Sequence, residues 1–216
     1  MSLSLRHATL DKMQPHHLNR LAVFTGSAHG ASTEYTTAAE EFARTAVKAG
    51  TNIVYGGGKV GLMGVVADSA LAAGGDVIGV IPESLVHGEI GHPGLSTLEV
   101  VPDMHIRKTR MADLADGFVA LPGGAGTLEE IFEVWTWQQL GLHAKPVALY
   151  DVDGFWQPLL EMLDHMTEQG FISSRFRETL IVETTPTALL NAMSAWQPQA
   201  PKWPATMDTT AEPRGL

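Results

Sequence analysis

The run Leu121-Pro122-Gly123-Gly124-Ala125-Gly126-Thr127-Leu128-Glu129-Glu130 is where this chain carries residues suited to chemistry. Its glycines clear side chains from a turn, so backbone N–H groups and a helix N-terminus can approach an anion, with phosphate the natural guest. Glu130 follows at once as a carboxylate beside that anion. The same residues have a plainer use, because Thr127-x-x-Glu130 has the spacing of a capping box that satisfies the free N–H groups of a helix start.

Two further stretches share this chemistry. Gly56-Gly57-Gly58-Lys59-Val60-Gly61-Leu62-Met63-Gly64 formally matches G-x-G-x-x-G. Lys59 is followed by Val60 rather than Ser or Thr, which excludes a Walker A loop. A dinucleotide fingerprint belongs after the first strand and needs an acid ending the next one, whereas Asp76 precedes an apolar run. Downstream, Met104, Arg107, Lys108 and Met111 stand at i, i+3, i+4 and i+7 and share one helical face. If the methionines mark that face as inward, two cations are buried there and call for carboxylates or a bound anion. Alternatively both cations reach outward, their stems covering apolar surface.

Gly26-Ser27-Ala28-His29-Gly30 ahead of Ser32-Thr33 is either a further phosphate- or base-facing loop or an ordinary capped turn. His87-Gly88-Glu89 has the H-x-E form of zinc deaminases, but their metal also needs cysteines, and the chain has none. Nine histidines without an H-E-x-x-H pairing do not indicate a metal site.

The elements that must position these residues are legible as alternation. Apolar runs at 21–24, 53–55, 77–81, 98–101, 118–121 and 147–150 read as strands, and helical periodicity covers 33–49, 62–73, 103–115, 127–140, 155–169 and 186–195. Short apolar strands separated by helices imply an α/β protein with a doubly wound parallel sheet, helices on both faces and ligands at the carboxyl ends of the strands. In such a sheet the glycine loops and the basic helix can meet at one edge. The sequence suggests one domain over about 20–196, after a low-order extension over 1–19 and before a proline-broken tail over 197–216.

Bulk properties agree with small-molecule chemistry. In 216 residues, 24 Asp+Glu outweigh 14 Lys+Arg for a net charge of −10, which argues against nucleic acid or an anionic membrane as partner. The absence of cysteine excludes disulfides and thiol catalysis. With neither a secretory leader nor an apolar run near membrane-spanning length, the expectation is a soluble cytoplasmic protein.

From about Val23 to Ala192 the chain resembles the LOG (Lonely Guy) family of cytokinin riboside 5′-monophosphate phosphoribohydrolases, formerly labelled lysine decarboxylases. The resemblance is carried by Gly26-Ser27 with Tyr35-x-x-Ala38-Ala39, by Tyr55-Gly56-Gly57-Gly58-x-x-Gly61-Leu62-Met63-Gly64, by Met104-x-x-Arg107-Lys108-x-x-Met111 and by Pro122-Gly123-Gly124-x-Gly126-Thr127-x-x-Glu130. It departs from the family's frequent first loop, having Thr25 and Ala28. It implies Arg107 and Glu130 as the catalytic pair. Nucleotide contacts are implied at Gly26, Ser27, Gly57, Gly58, Met104, Lys108 and Gly123, at Gly124, Ala125, Gly126 and Thr127, and at Glu89 and Thr136. A Rossmann-like fold, a homodimer, a nucleoside 5′-monophosphate substrate and no metal or organic cofactor are implied with them. A molybdenum-cofactor carrier of similar fold and a dinucleotide-dependent oxidoreductase are the alternatives from other classes.

Overall fold

Strands that are apolar at every position, rather than at alternate ones, are stable only where both faces of the sheet are covered. The computed structural model describes residues 17–86 and 91–202 and shows that arrangement. Its strands are β1 (Arg20–Phe24), β2 (Asn52–Tyr55), β3 (Val77–Pro82), β4 (Thr97–Val101), β5 (Gly117–Ala120), β6 (Val147–Tyr150) and β7 (Leu180–Glu183). Its helices are α1 (Thr33–Lys48), α2 (Gly61–Ala72), α3 (Met104–Leu114), α4 (Ala125–Leu140), α5 (Gln157–Glu168), the short α6 (Ser174–Arg177) and α7 (Pro186–Ala195).

All neighbouring strands pair in parallel, in the order β4-β3-β2-β1-β5-β6-β7. Successive residues of one strand feed opposite layers, as the pleat requires. Leu21 and Val23 of β1 pack with α1, α2 and α7, while Ala22 and Phe24 pack with α3, α4 and α5. A side chain fully buried in either layer, such as Phe42 or Leu163, contributes roughly 1.5–3 kcal/mol.

The doubly wound parallel sheet is as the sequence implies, and six of its seven strands fall on the expected runs. The seventh, β7, and the short helix α6 were not anticipated. Leu180-Ile181-Val182 is only three apolar residues long, and at the sheet edge beside β6 it is half-buried, so its signal is weaker than that of the central strands. At the ends of the domain, Leu18 is buried and its carbonyl accepts from the Thr51 hydroxyl (2.7 Å), while Lys202 N–H donates to Gln139 O (2.8 Å).

Tyr150 closes β6 against Phe42, with ring centroids 6.0 Å apart. Burial, reinforced by the charge of Glu41, pushes its hydroxyl from 10 up to about 12. The folded state therefore holds this proton more tightly than the unfolded chain does. Its contribution to stability is intact below pH 10 and is lost as the pH rises towards about 12. Urea unfolding followed across that interval should show this loss in the native sequence and not in Tyr150→Phe.

Candidate active site

The connections β1 to β4 step outward on one side of β1, and the chain then crosses back to lay β5, β6 and β7 on the other side. Crevices form where a parallel sheet reverses its winding, here between the carboxyl ends of β1 and β5. The register pairs Phe24 with Ala120, so the two following loops leave side by side. They are stitched together: Leu121 N–H donates to Phe24 O (2.9 Å), Gly26 N–H to Pro122 O (3.1 Å) and the Thr25 hydroxyl to the same Pro122 carbonyl (3.0 Å). The start of α2 joins them where Met63 N–H donates to Gly26 O (3.4 Å).

The capping box does not form. The N-cap of α4 is Gly124, which brings no side chain to the first N–H groups, and Thr127 and Glu130 already lie inside the helix. Thr127 is buried, folded against Gly123 so closely that a Cβ there would overlap its hydroxyl and crowd Gly26 N. The helix start therefore presents backbone donors and the positive end of its dipole to the crevice, as the anion-site reading requires.

Arg107 approaches from α3. Asp103 caps that helix by accepting Ile106 N–H (2.9 Å), and a two-bond ion pair from Arg110 to Glu99 (2.7 and 2.9 Å) ties it to β4. The Arg110 hydrogen bond holds the Glu99 carboxyl below its usual range. One turn earlier Arg107 is buried, 5% exposed, and its Nη2 lies 3.6 Å from Glu130 Oε1. A Cβ on Gly56 would overlap that same nitrogen, so the glycine is what admits the guanidinium. Nη1 donates to Met104 Sδ (3.4 Å), and Nε is buried with no hydrogen-bond partner among the described residues.

Around this pair is a cavity of about 270 Å³. Of the residues the sequence singled out, Gly26, Ser27, Met104, Arg107, Gly124, Ala125, Gly126, Thr127 and Glu130 line it. Gly123 supports the turn from below. Thr25, Met63 and Glu129 also line the cavity, although the sequence marked none of them as a site residue. Met63 carried a signal, standing within the second glycine motif.

Other residues go elsewhere. Gly57, at φ 81°, packs against Ile81 and Leu98, and Gly58 bridges to Gly91; neither lines the cavity. Thr136 is on the exposed side of α4, and Glu89 lies outside the described residues. Met104 is not inward as its spacing suggested: it is the first residue of α3 and is 43% exposed at the cavity. Lys108 is inward but committed to two carboxylates, with Nζ 2.6 Å from Glu129 and 3.0 Å from Glu133. Burial alone would pull its pKa down, but the two carboxylates outweigh that and raise it. Trp135 is core, donating to the Thr179 hydroxyl (3.1 Å), while Trp137 is half-buried.

A larger cavity, about 700 Å³, lies at the opposite edge beside Asp116, His143 and Lys145, which precede β5 and β6. Its polar groups already serve the fold. Asp116 accepts Asn19 and Arg20 N–H (2.8 and 2.9 Å), and Lys145 Nζ donates to Ala112 O (2.7 Å). Volume there does not mark chemistry.

Comparison with known proteins adds the following. Residues 63–193 match the family model described as "Possible lysine decarboxylase". The chain is 45% identical over 183 residues to a probable cytokinin riboside 5′-monophosphate phosphoribohydrolase of Oryza sativa subsp. japonica, covering 85% of this chain and 75% of the relative. A cytokinin riboside 5′-monophosphate phosphoribohydrolase of Arabidopsis thaliana is 42% identical over 87% of each chain. One of Rhodococcoides fascians is 48% identical over 75% of this chain and 82% of its own. Among solved structures, the molybdenum cofactor binding protein of Rippkaea orientalis superposes with a TM-score of 0.58 at 21% identity, covering 82% of this chain and 93% of that one. The Moco carrier protein of Chlamydomonas reinhardtii gives 0.59 at 19% identity, over 83% and 94%. These last two show a shared fold.

Two glycine variants separate packing from ligand access. In Gly56→Ala the new methyl meets only the end of a flexible side chain, so the melting temperature should change little while Arg107 is expelled from its seat and activity falls at least about tenfold. At Gly126, inside the first turn of α4, a Cβ meets nothing within 4 Å. Gly126→Ala should gain up to about 1 kcal/mol in unfolding experiments through helix propensity. Calorimetric binding of a nucleoside 5′-monophosphate should weaken in the same variant.

Proposed function

The chain belongs to the LOG family of cytokinin riboside 5′-monophosphate phosphoribohydrolases, and from that premise we propose that it hydrolyses the N-glycosidic bond of adenosine 5′-monophosphate or an N6-substituted derivative, releasing free base and ribose 5-phosphate. The single observation that carries the assignment to this site is the Arg107–Glu130 pair, 3.6 Å apart and largely buried, facing the uncapped start of α4.

In this scheme the 5′-phosphate sits on the backbone N–H groups from Gly124 to Thr127, with Ser27 opposite. Gly124 and Gly126 leave open space where a side chain would stand, which suits close approach of phosphate oxygens. As the C1′–N9 bond breaks, its electrons leave with the base, and positive charge develops on the ribose ring as in glycoside cleavage. The Glu130 carboxylate stabilises that charge and takes a proton from the water that adds to C1′. Arg107 binds ribose or phosphate oxygens and polarises the departing base, whose nitrogen takes up a proton from solvent and so balances the one passed from water to Glu130. The two lysines that stand in the glycine and basic-helix motifs do not support lysine decarboxylation. A Schiff-base lysine must surrender its proton, whereas the carboxylates around Lys108 hold it as ammonium, and Lys59 is exposed.

We further propose a cytoplasmic homodimer whose partner is the small-molecule substrate rather than nucleic acid or membrane. Exposed apolar residues at Val100 and Ile106, together with Met104 at the cavity, support a protein contact on this part of the surface, and the net charge of −10 argues against polyanions. No helix among the described residues is long and apolar enough to cross a membrane.

Chromatography of products from adenosine monophosphate and its N6-isopentenyl analogue tests the reaction. Glu130→Gln and Arg107→Ala should each lower kcat by about a hundredfold or more, and full activity in both would overturn the assignment. The matching nucleoside, lacking phosphate, should be a far poorer substrate; equal turnover of nucleoside and nucleotide would remove the phosphate cradle from the mechanism. A carrier, by contrast, would bind its ligand and release no base.

A further inference from the structure

Two ties run between the same pair of helices. Arg107 of α3 faces Glu130 of α4 across 3.6 Å, and the residue after Arg107 forms the second with two other acids of α4: Lys108 Nζ is 2.6 Å from Glu129 and 3.0 Å from Glu133. The second tie has the better geometry. Its ammonium side chain is 10% exposed, and Glu129 and Glu133 lie one helical turn apart, so both carboxylates can reach one cation. Without that cation the two acids would repel each other beside the anion site, and α3 and α4 would lose their closest charged contact.

The Arg107–Glu130 pair cannot set its own spacing. At 3.6 Å it is longer than a charge-assisted hydrogen bond, the guanidinium Nε has no partner among the described residues, and Arg107 is otherwise held by a thioether and the glycine gap. Packing of Met111 and Ala112 of α3 and of Ile131, Val134 and Trp135 of α4 seats each helix on the sheet, and a direct tie between the two helices adds to that packing near the pair. We infer that Lys108 is a positioning residue: clamped by Glu129 and Glu133, it fixes α3 against α4 and so sets the separation of Arg107 from Glu130. This assigns Lys108 a role within the protein rather than on the nucleotide phosphate, and its catalytic consequence rests on the hydrolase reading given above.

The two roles predict different things when the carboxylates, rather than the lysine, are changed. If Lys108 positions, then Lys108→Met and the double variant Glu129→Gln/Glu133→Gln break the same tie. Both should lower kcat about tenfold, KM should move less than about threefold, and the triple variant should be no worse than either, since coupled groups are not additive. Lys108→Arg, which can still bridge two carboxylates, should recover most of kcat. If Lys108 instead binds phosphate, removing its carboxylate partners frees it. The Glu129→Gln/Glu133→Gln variant would then keep wild-type kcat with a lower KM, and Lys108→Met would raise KM; either result overturns the inference.

A readout independent of turnover separates failure of this inference from failure of the proposed reaction. The Arg107 Nε–H resonance, assigned in the full chain by its loss in Arg107→Lys, should move in Lys108→Met and Glu129→Gln/Glu133→Gln in the same direction as in Glu130→Gln. An unmoved resonance overturns the positioning role whether or not the wild-type protein releases base. Wild-type protein that releases no base from any nucleotide, while the resonance moves as described, overturns the proposed reaction and leaves the tie established.

Discussion

A guanidinium taken out of water costs several kcal/mol unless its charge and its donors are answered, and the carboxyl edge of this sheet is built around that demand at Arg107. The helix that carries it is capped by Asp103 and anchored through Arg110 to Glu99. Gly56 gives up its side chain to seat it, and Glu130 stands across from it. The uncapped start of α4 has the same sign of potential as Arg107, so guanidinium and helix dipole raise each other's affinity for an anion. Glu130 answers part of that field within the protein, and a phosphorylated ligand is suited to answer the rest. A site balanced in this way sacrifices some stability to hold groups that chemistry needs, which is where local rules of folding are expected to be broken.

The glycines around the site divide into two physical classes. At 56 and 123 the protein itself fills the space a Cβ would take, with Arg107 Nη2 in one case and Thr127 in the other. Gly61 belongs with these, at φ 56° and pressed on the Ser27–Ala28 backbone. At 124 and 126 no side chain or backbone beyond the immediate chain neighbours and the helix itself lies within 4 Å of that position, and Gly124 is not in the left-handed region either. Neither packing nor backbone conformation demands glycine at those two positions, and their lack of side chains leaves the N–H groups at the start of α4 open to approach.

Charge is organised on two scales. The chain as a whole carries −10, which would oppose a nucleotide approaching any average part of its surface. Within α4 the acids at 129, 130 and 133 fall within about one helical turn, and the pairing of two of them with Lys108 leaves Glu130 as the carboxylate set against Arg107. Local neutralisation thus makes an anion site possible in an acidic protein.

The sequence by itself determined a doubly wound parallel sheet, six of its seven strands, all the helices but α6 and the stretches that meet at the site, because apolar periodicity and glycine spacing are local consequences of what each element must bury or admit. Arg107, Glu130 and the run from Gly123 to Thr127 were legible for that reason. Tertiary structure alone decided what each member touches. The short edge strand β7 gains its place only by pairing with β6, and the expected capping box yielded to a helix that begins at Ala125, since Thr127 is drawn under the turn against Gly123. Lys108 and Gly57 sat in motifs that suggested phosphate, yet one is claimed by Glu129 and Glu133 and the other by the packing of β3 and β4. Spacing along a helix tells which residues share a face, but partners on that face come from segments more than twenty residues away, and only the folded chain brings them within reach.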